Sequence, residues 1–165
     1  MSTPEAARTQ VRTNNTVIAA LAMVRNEADA LICGLEGRFE RHWRNVDLTI
    51  GRKPGVMDLS ALSMLISQRG PLFFTDPYVS VDPTVDEIAE MTMLAAEEIR
   101  RFGIEPKAAL LSHSNFGSRD SPSALKMREA AARLRRLMPD LQADGEMHGD
   151  SALSEMLRNR VFPHS

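Results

Sequence analysis

Lys107-Ala108-Ala109-Leu110-Leu111-Ser112-His113-Ser114-Asn115-Phe116-Gly117-Ser118-Arg119-Asp120-Ser121-Pro122 is the stretch that decides the fold. A short apolar run empties into a hydroxyl-rich loop, and Pro122 stands where a first helical residue tolerates losing its N–H. The spacing predicts a buried strand, a polar loop and a helix start, which is the joint of an α/β layer. Ser112, Ser114, Asn115, Gly117 and Ser118 make that loop friendly to an anion, because free backbone N–H groups and the positive end of the helix dipole would converge there. The same residues would serve as a plain structural cap. The loop carries neither the glycine-lysine spacing of a nucleotide P-loop nor a triple-glycine dinucleotide fingerprint, so its chemistry stays open between the two.

Outward from the loop, helical and strand-like segments alternate. Thr84 followed by Glu87 reads as a capping box, opening a helix that stops at Gly103 with an apolar stripe of Ile88, Met91, Ala95, Ile99 and Phe102. A second long helix is expected from Ser121 to about Met138, closed by Pro139, and a strand from Leu141 to Met147. Ser151 to Arg160 reads as a final helix. Upstream, Leu59–Ile66 and Leu72–Thr75 read as strands around the turn residues Gln68-Arg69-Gly70-Pro71. Pro4 to Glu27 reads as one helix with a weak middle at Thr13-Asn14-Asn15-Thr16, and Ala30–Cys33 as a short buried strand. Gly51-Arg52-Lys53-Pro54-Gly55 is the natural linker, since Gly and Pro flank two cations and nothing periodic crosses it. Helices alternating with buried strands imply parallel pairing and a layered α/β domain, with a sheet edge left open at the C-terminal end.

Composition bounds the function. At 165 residues with a net charge of −2 the chain can bury a core and lacks the basic footprint that nucleic-acid binding requires. No apolar run approaches the roughly 18 residues of a membrane span, and the first residues do not form a secretory signal, so the expected compartment is the cytoplasm. The one cysteine, Cys33, sits in an apolar run and is expected to be a buried thiol in a reducing compartment.

Several groups of residues could carry chemistry. Asp144, Glu146, His148 and Asp150 alternate and would share one face of an extended strand, a spacing open to a hard divalent cation, but a solvated sheet rim accounts for them better and no metal is expected. Ser112 and Ser114 flank His113, yet neighbouring strand residues point to opposite faces and form no nucleophilic triad. Arg128, Arg133, Arg135 and Arg136 are read as a solvated helix face. Arg38-Phe39-Glu40-Arg41-His42-Trp43-Arg44 combines arginines with the only Trp, a mixture suited either to ligand contact or to a solvated loop.

Taken in order, Ala28-Asp29-Ala30-Leu31-Ile32-Cys33-Gly34, Phe74-Thr75-Asp76, Asp82-Pro83-Thr84, Phe102-Gly103-Ile104-Glu105-Pro106-Lys107, the Leu111–Ser118 loop and Pro139-Asp140-Leu141-Gln142-Ala143-Asp144-Gly145-Glu146-Met147 resemble the phosphate acetyl/butyryltransferase family over nearly the whole chain. Within it, the chain is most similar to the C-terminal phosphotransacetylase-like domain of bacterial multidomain NADP-dependent malic enzymes. Two departures from the transferases carry that choice. Gly37–Trp43 is bulky and charged, with Arg44 followed by Asn45 rather than proline, and the loop reads Ser114-Asn115-Phe116-Gly117.

The resemblance implies a two-lobed α/β architecture of the phosphotransacetylase type, akin to isocitrate and isopropylmalate dehydrogenases, with a mostly parallel sheet flanked by helices and incomplete at the C-terminus. Residues 1–55 would form part of the first lobe and 56–165 most of the second. It further implies that Arg44 matches the family's substrate-binding arginine, and that Arg44, Ser112, Ser114, Asn115, Gly117 and Ser118 line a cleft for acetyl-CoA or a related acyl-CoA or phosphate. No residue is expected to be catalytic and no cofactor is expected in this part. Malate oxidation, with its NADP and divalent metal, would belong to N-terminal malic enzyme domains outside these residues, and the chain would assemble as a homo-oligomer. A phosphate acetyltransferase and a purely structural oligomerisation module are the alternatives.

Overall fold

The computed structural model describes residues 3–163 and Ser165. The chain divides into two units, Met1–Val56 and Met57–Ser165. In the first, the helix expected from Pro4 to Glu27 is two helices, α1 (Pro4–Thr13) and α2 (Asn15–Val24). Asn14 makes the break: its backbone is extended, and its side-chain oxygen accepts the N–H groups of Thr16 and Val17, capping α2 at the expense of a continuous helix. Thr16 and Ala20 are the buried residues of α2, which packs on α3 (Phe39–Thr49). The arginine-rich segment around Trp43 is therefore helical. His42 ties α3 down, its Nε2 2.6 Å from the Glu36 carbonyl and its Nδ1 2.8 Å from Thr16 Oγ1. A carbonyl only accepts, so Nε2 carries the proton and Nδ1 receives the threonine hydroxyl.

Two expectations fail between α2 and α3. Ala30–Cys33 is not a strand, and Cys33 is exposed, with Ile32 100% exposed beside it. A strand needs a neighbour to satisfy its N–H and C=O groups, and the described residues of this unit contain no other strand.

The second unit opens with a hairpin of β1 (Leu62–Ser67) and β2 (Gly70–Thr75), paired antiparallel from Leu62 opposite Thr75 to Ser67 opposite Gly70. Gln68 and Arg69 form the turn, and the Ser67 hydroxyl both donates to the Gly70 carbonyl and accepts the Arg69 N–H. β1 starts later than Leu59 because the Asp76 carboxylate takes the Ala61 N–H, together with those of Val79 and Ser80, and draws the chain out of the ladder.

Helix α4 (Val85–Arg101) has the expected capping box: Thr84 Oγ1 accepts from Glu87 N and Glu87 accepts from Thr84 N. Its buried face is Ile88, Ala89, Met91, Thr92, Ala95 and Ala96. Phe102, expected on that stripe, lies beyond the helix end, is 59% exposed and meets Phe73 of the hairpin at 6.0 Å between rings.

Strand β3 (Lys107–Leu111), α5 (Pro122–Leu137) and β4 (Gln142–Met147) form a β-α-β unit with parallel strands. Ile88, Ala89, Ala96, Leu110, Ala130, Ala131, Leu134 and Leu141 make the core between α4, α5 and the strands. Alanine at the helix contacts lets α4 and α5 approach closely, which suits a sequence this poor in aromatics. The expected terminal helix is again two, α6 (Gly149–Leu153) and α7 (Glu155–Val161), divided at Ser154, whose hydroxyl caps α7 through Leu157 N. The class is thus α/β, with the parallel β3–β4 pair flanked by helices and an antiparallel hairpin beside it. Among the described residues no helix is long and apolar enough to cross a membrane.

Candidate functional site

The loop between β3 and α5 is wrapped around one buried carboxylate. Glu146, near the end of β4, has a side chain 0% exposed. The opposing ladder runs regularly up to Leu110 opposite Gly145 and resumes with Leu111 opposite Met147, so Glu146 is the extra residue of a β-bulge. Gly145 makes this geometry possible. Its φ is +136°, and a Cβ there would lie 2.6 Å from the Leu110 carbonyl oxygen and 2.9 Å from Leu110 Cβ. Strand β4 can therefore press against β3 and turn the next side chain out of the normal alternation.

So aimed, Glu146 collects donors from the loop and from α5. Its Oε1 accepts the Ser114 hydroxyl at 2.8 Å, the Gly117 N–H at 2.8 Å and Arg128 Nη2 at 3.1 Å, while Oε2 accepts Arg128 Nε at 3.0 Å. Arg128, on the second turn of α5, thus makes a two-pronged contact and also donates to Asp120 and to the Arg119 carbonyl. Burial pushes the Glu146 carboxyl upward, but the Arg128 guanidinium, the Gly117 N–H and the Ser114 hydroxyl outweigh it and hold its pKa at about 2. Such a group is no general base at neutral pH. The fully buried Ser114 hydroxyl beside it holds the loop and has no access to a substrate.

The backbone of β4 completes the clamp. The Glu146 carbonyl accepts from Phe116 N, the Met147 carbonyl from Ser112 N, and His148 N donates to Asn115 Oδ1 at 2.7 Å. Within the loop, Ser114 N donates to Ser112 Oγ, Asn115 N to Ser118 Oγ, Ser118 N to the Asn115 carbonyl and Arg119 N to Ser114 Oγ. Every backbone N–H from Ser114 to Arg119 therefore has a partner inside the protein. The expectation that these loop N–H groups are free is corrected: the Glu146 carboxylate takes that of Gly117, loop hydroxyls take those of Ser114, Asn115 and Arg119, and backbone carbonyls take those of Phe116 and Ser118. What the loop turns outward are the exposed Ser118, His113 and Arg119 and the partly exposed Ser112 and Asn115.

The structure brings Ser112, Ser114, Asn115, Gly117 and Ser118 together as one turn. Arg44 belongs to the first unit, on α3, exposed, with its guanidinium 5.8 Å from the centroid of the Trp43 ring. Two residues central to the loop escaped the sequence reading as functional. Glu146 was grouped with a solvated rim, and Arg128 with a solvated helix face; both are corrected by their pairing. The signal was a carboxylate in a strand otherwise expected to be buried, which demands a partner. The topology supplies it, because α5 starts where β4 ends, so an early helix residue meets a late strand residue. The bulge and the start of α6 at Gly149 also break the expected single face of Asp144, Glu146, His148 and Asp150: Asp144 pairs instead with Arg135 at 3.0 Å. Arg133 pairs with Asp86 at 2.6 Å on the surface. Among the described residues no group of at least three His, Cys, Asp or Glu side chains converges to hold a metal ion.

Residues 1–165 match the phosphate acetyl/butaryl transferase family, and the chain belongs to it. It is 68% identical over 162 residues, 98% of its length, to an NAD-dependent malic enzyme of Rhizobium meliloti, and 49% identical over 163 residues to an NADP-dependent malic enzyme of Salmonella typhimurium, 99% of its length. It spans only 21% and 22% of those proteins. Among solved structures, a phosphotransacetylase of Streptococcus pyogenes superposes with a TM-score of 0.88 at 30% identity, covering 99% of this chain and 50% of that one.

Proposed function

We propose that these residues are part of an acetyl-CoA-responsive regulatory and assembly domain of a malic enzyme. The observation that carries this reading is the 68% identity to a malic enzyme across 98% of the chain, against 30% to the solved phosphotransacetylase. The Ser112–Ser118 loop would contact the acyl-CoA or phosphate through Ser112, Asn115 and Ser118, with Ser114 and Gly117 holding its shape; Arg44, in the first unit, is proposed as a ligand-binding arginine on the strength of the family resemblance alone. A buried carboxylate held at low pKa and paired with Arg128 suits binding better than acid–base chemistry. The oxidation of malate to pyruvate, its nicotinamide and its divalent metal are assigned to domains outside these residues. The sequence resemblance favours NADP, whereas the relative at 68% identity is named for NAD, so both nucleotides belong in the assay.

The test is a titration of the full-length protein with acetyl-CoA, following malate oxidation with each nucleotide and acetyl phosphate formation in parallel. Acetyl-CoA should change the malate rate and bind saturably, Arg44→Ala should weaken that binding about tenfold, which corresponds to the loss of roughly one charged contact, and no acetyl phosphate should form. Acetyl phosphate turnover would establish the transferase reading instead. Acetyl-CoA without effect on binding or rate, together with loss of the oligomer on deleting these residues, would leave an assembly module.

A further inference from the structure

We infer that Glu146 is a positioning residue for the Ser112–Ser118 loop, setting the shape in which the loop meets its ligand while touching no ligand itself. The inference rests on the binding role proposed above for that loop. Three observations carry it independently of any ligand. First, the carboxylate is wholly buried, and it is held by a hydroxyl and an N–H of the loop and by a guanidinium of α5. Second, the strand is deformed to deliver it: a bulge that only glycine at 145 permits puts Glu146 where a regular ladder would have pointed it elsewhere. Third, its main-chain carbonyl and side chain grip consecutive residues, Phe116 and Gly117, both in the positive-φ region at 45° and 89°. A non-glycine residue at φ 45° persists only where its surroundings over-determine it. The Glu146 carbonyl holds the Phe116 N–H, and the Phe116 ring packs on Phe162 at 4.8 Å between centroids.

The chemistry assigns the remaining groups their parts. Ser114 Oγ sits between Glu146 and the Arg119 backbone, donating to the one and accepting from the other. Arg128 spans from the carboxylate to the Arg119 carbonyl. The loop is thus fixed at 114, 117 and 119 through the buried Glu146 carboxylate and the partly exposed Arg128, and at 116 by the Glu146 main-chain carbonyl, and the outward groups of Ser118 and Asn115 inherit their positions from these contacts. Neutralising Glu146 leaves an acceptor for Ser114 and Gly117 but sets a Gln amide against the donors of Arg128.

The experiment uses full-length protein carrying Glu146→Gln, and separately Glu146→Gln with Arg128→Met. Amide hydrogen exchange is followed by mass spectrometry for peptides covering 112–120 and 85–101, alongside acetyl-CoA affinity. We expect exchange at 112–120 to accelerate about tenfold in Glu146→Gln with α4 unchanged, acetyl-CoA affinity to fall about tenfold, and the double variant, which removes the donor conflict but also the Arg128 link to Arg119, to recover only part of both through the Gln carbonyl that still accepts from Ser114 and Gly117. Unaltered exchange at 112–120, or equal acceleration in α4, would overturn the inference, the latter because it describes a general loss of stability. Should Glu146→Gln not fold, Ser114→Ala removes a single link in the same clamp and is judged by the same two peptides. If the wild-type protein binds no acetyl-CoA, the proposed function fails, and the exchange data alone still decide whether Glu146 sets the loop.

Discussion

Two apolar runs of similar character meet opposite fates in this chain. Ala108–Leu111 becomes strand β3, hydrogen-bonded to β4, with Leu110 in the core; Ala30–Cys33 becomes an irregular segment with Ile32 and Cys33 in solvent. Local propensity does not explain the outcome, since Ala and Leu occur in both and the one β-branched residue, Ile32, lies in the run that stays unpaired. The difference is a partner. Beyond β3 the chain folds α5 back and returns a parallel strand in register, whereas the described residues of the first unit hold helices only. β-propensity measures fit to a neighbour's pleated, half-buried surface, and without that neighbour the same run stays unpaired.

This contrast is open to attack at several depths, the largest effects lying in the second unit. Gly145→Val would drive a Cβ into the Leu110 backbone at a φ that side chains avoid, and should cost about 3–5 kcal/mol in urea unfolding. A loss below about 1 kcal/mol would mean the bulge is not required. Leu134→Ala, at a side chain 0% exposed, should cost about 2–5 kcal/mol by the same measurement.

Acid should act through Glu146. Its folded pKa of about 2 lies below the ordinary 4.5, so the stabilisation is fully present above about pH 4.5 and is lost as pH falls from there toward about 2. Urea midpoints across that window should therefore drop more steeply in the wild type than in Glu146→Gln. Parallel profiles would remove the carboxylate from the account. Thr84→Ala, which takes half of a capping box, should cost about 1 kcal/mol.

At the foot of the scale, Ile32→Ala should change stability by no more than about 0.5 kcal/mol, and Cys33 should react with a thiol reagent in the folded protein without denaturant. A large loss at Ile32, or a protected Cys33 in the full-length protein, would show that a neighbour covers this run there, and the comparison would become one of partner identity.

Much of the second unit was legible residue by residue. The capping box at Thr84 and Glu87, Pro122 at the helix start after Ser121, and the stop at Gly103 are local rules, satisfied within a few residues of chain. The hairpin turn at Gln68-Arg69 was legible for the same reason. The breaks at Asn14 and Ser154 were missed because a side chain that caps one helix competes locally with a longer one, and periodicity alone does not reveal which wins. In the candidate site, the loop itself was visible as a cluster of hydroxyls, but its N–H groups read as free, when Glu146, 29 residues beyond Gly117, takes one and loop hydroxyls and backbone carbonyls take the others.

By itself, then, the sequence determined the order of elements in the second unit, the helix starts, the hydroxyl-rich loop between β3 and α5, and the family to which the blocks from Ala28 to Met147 point. Those features depend on short-range backbone sterics, capping and pattern. Tertiary structure alone decided that Glu146 is buried rather than solvated, that Arg128 faces it, and that Ala30–Cys33 goes without a strand partner. Each of these depends on what stands across from a residue in space: a charge enters the interior only where opposite charge and donors meet it, and an apolar run becomes a strand only where another backbone lies alongside.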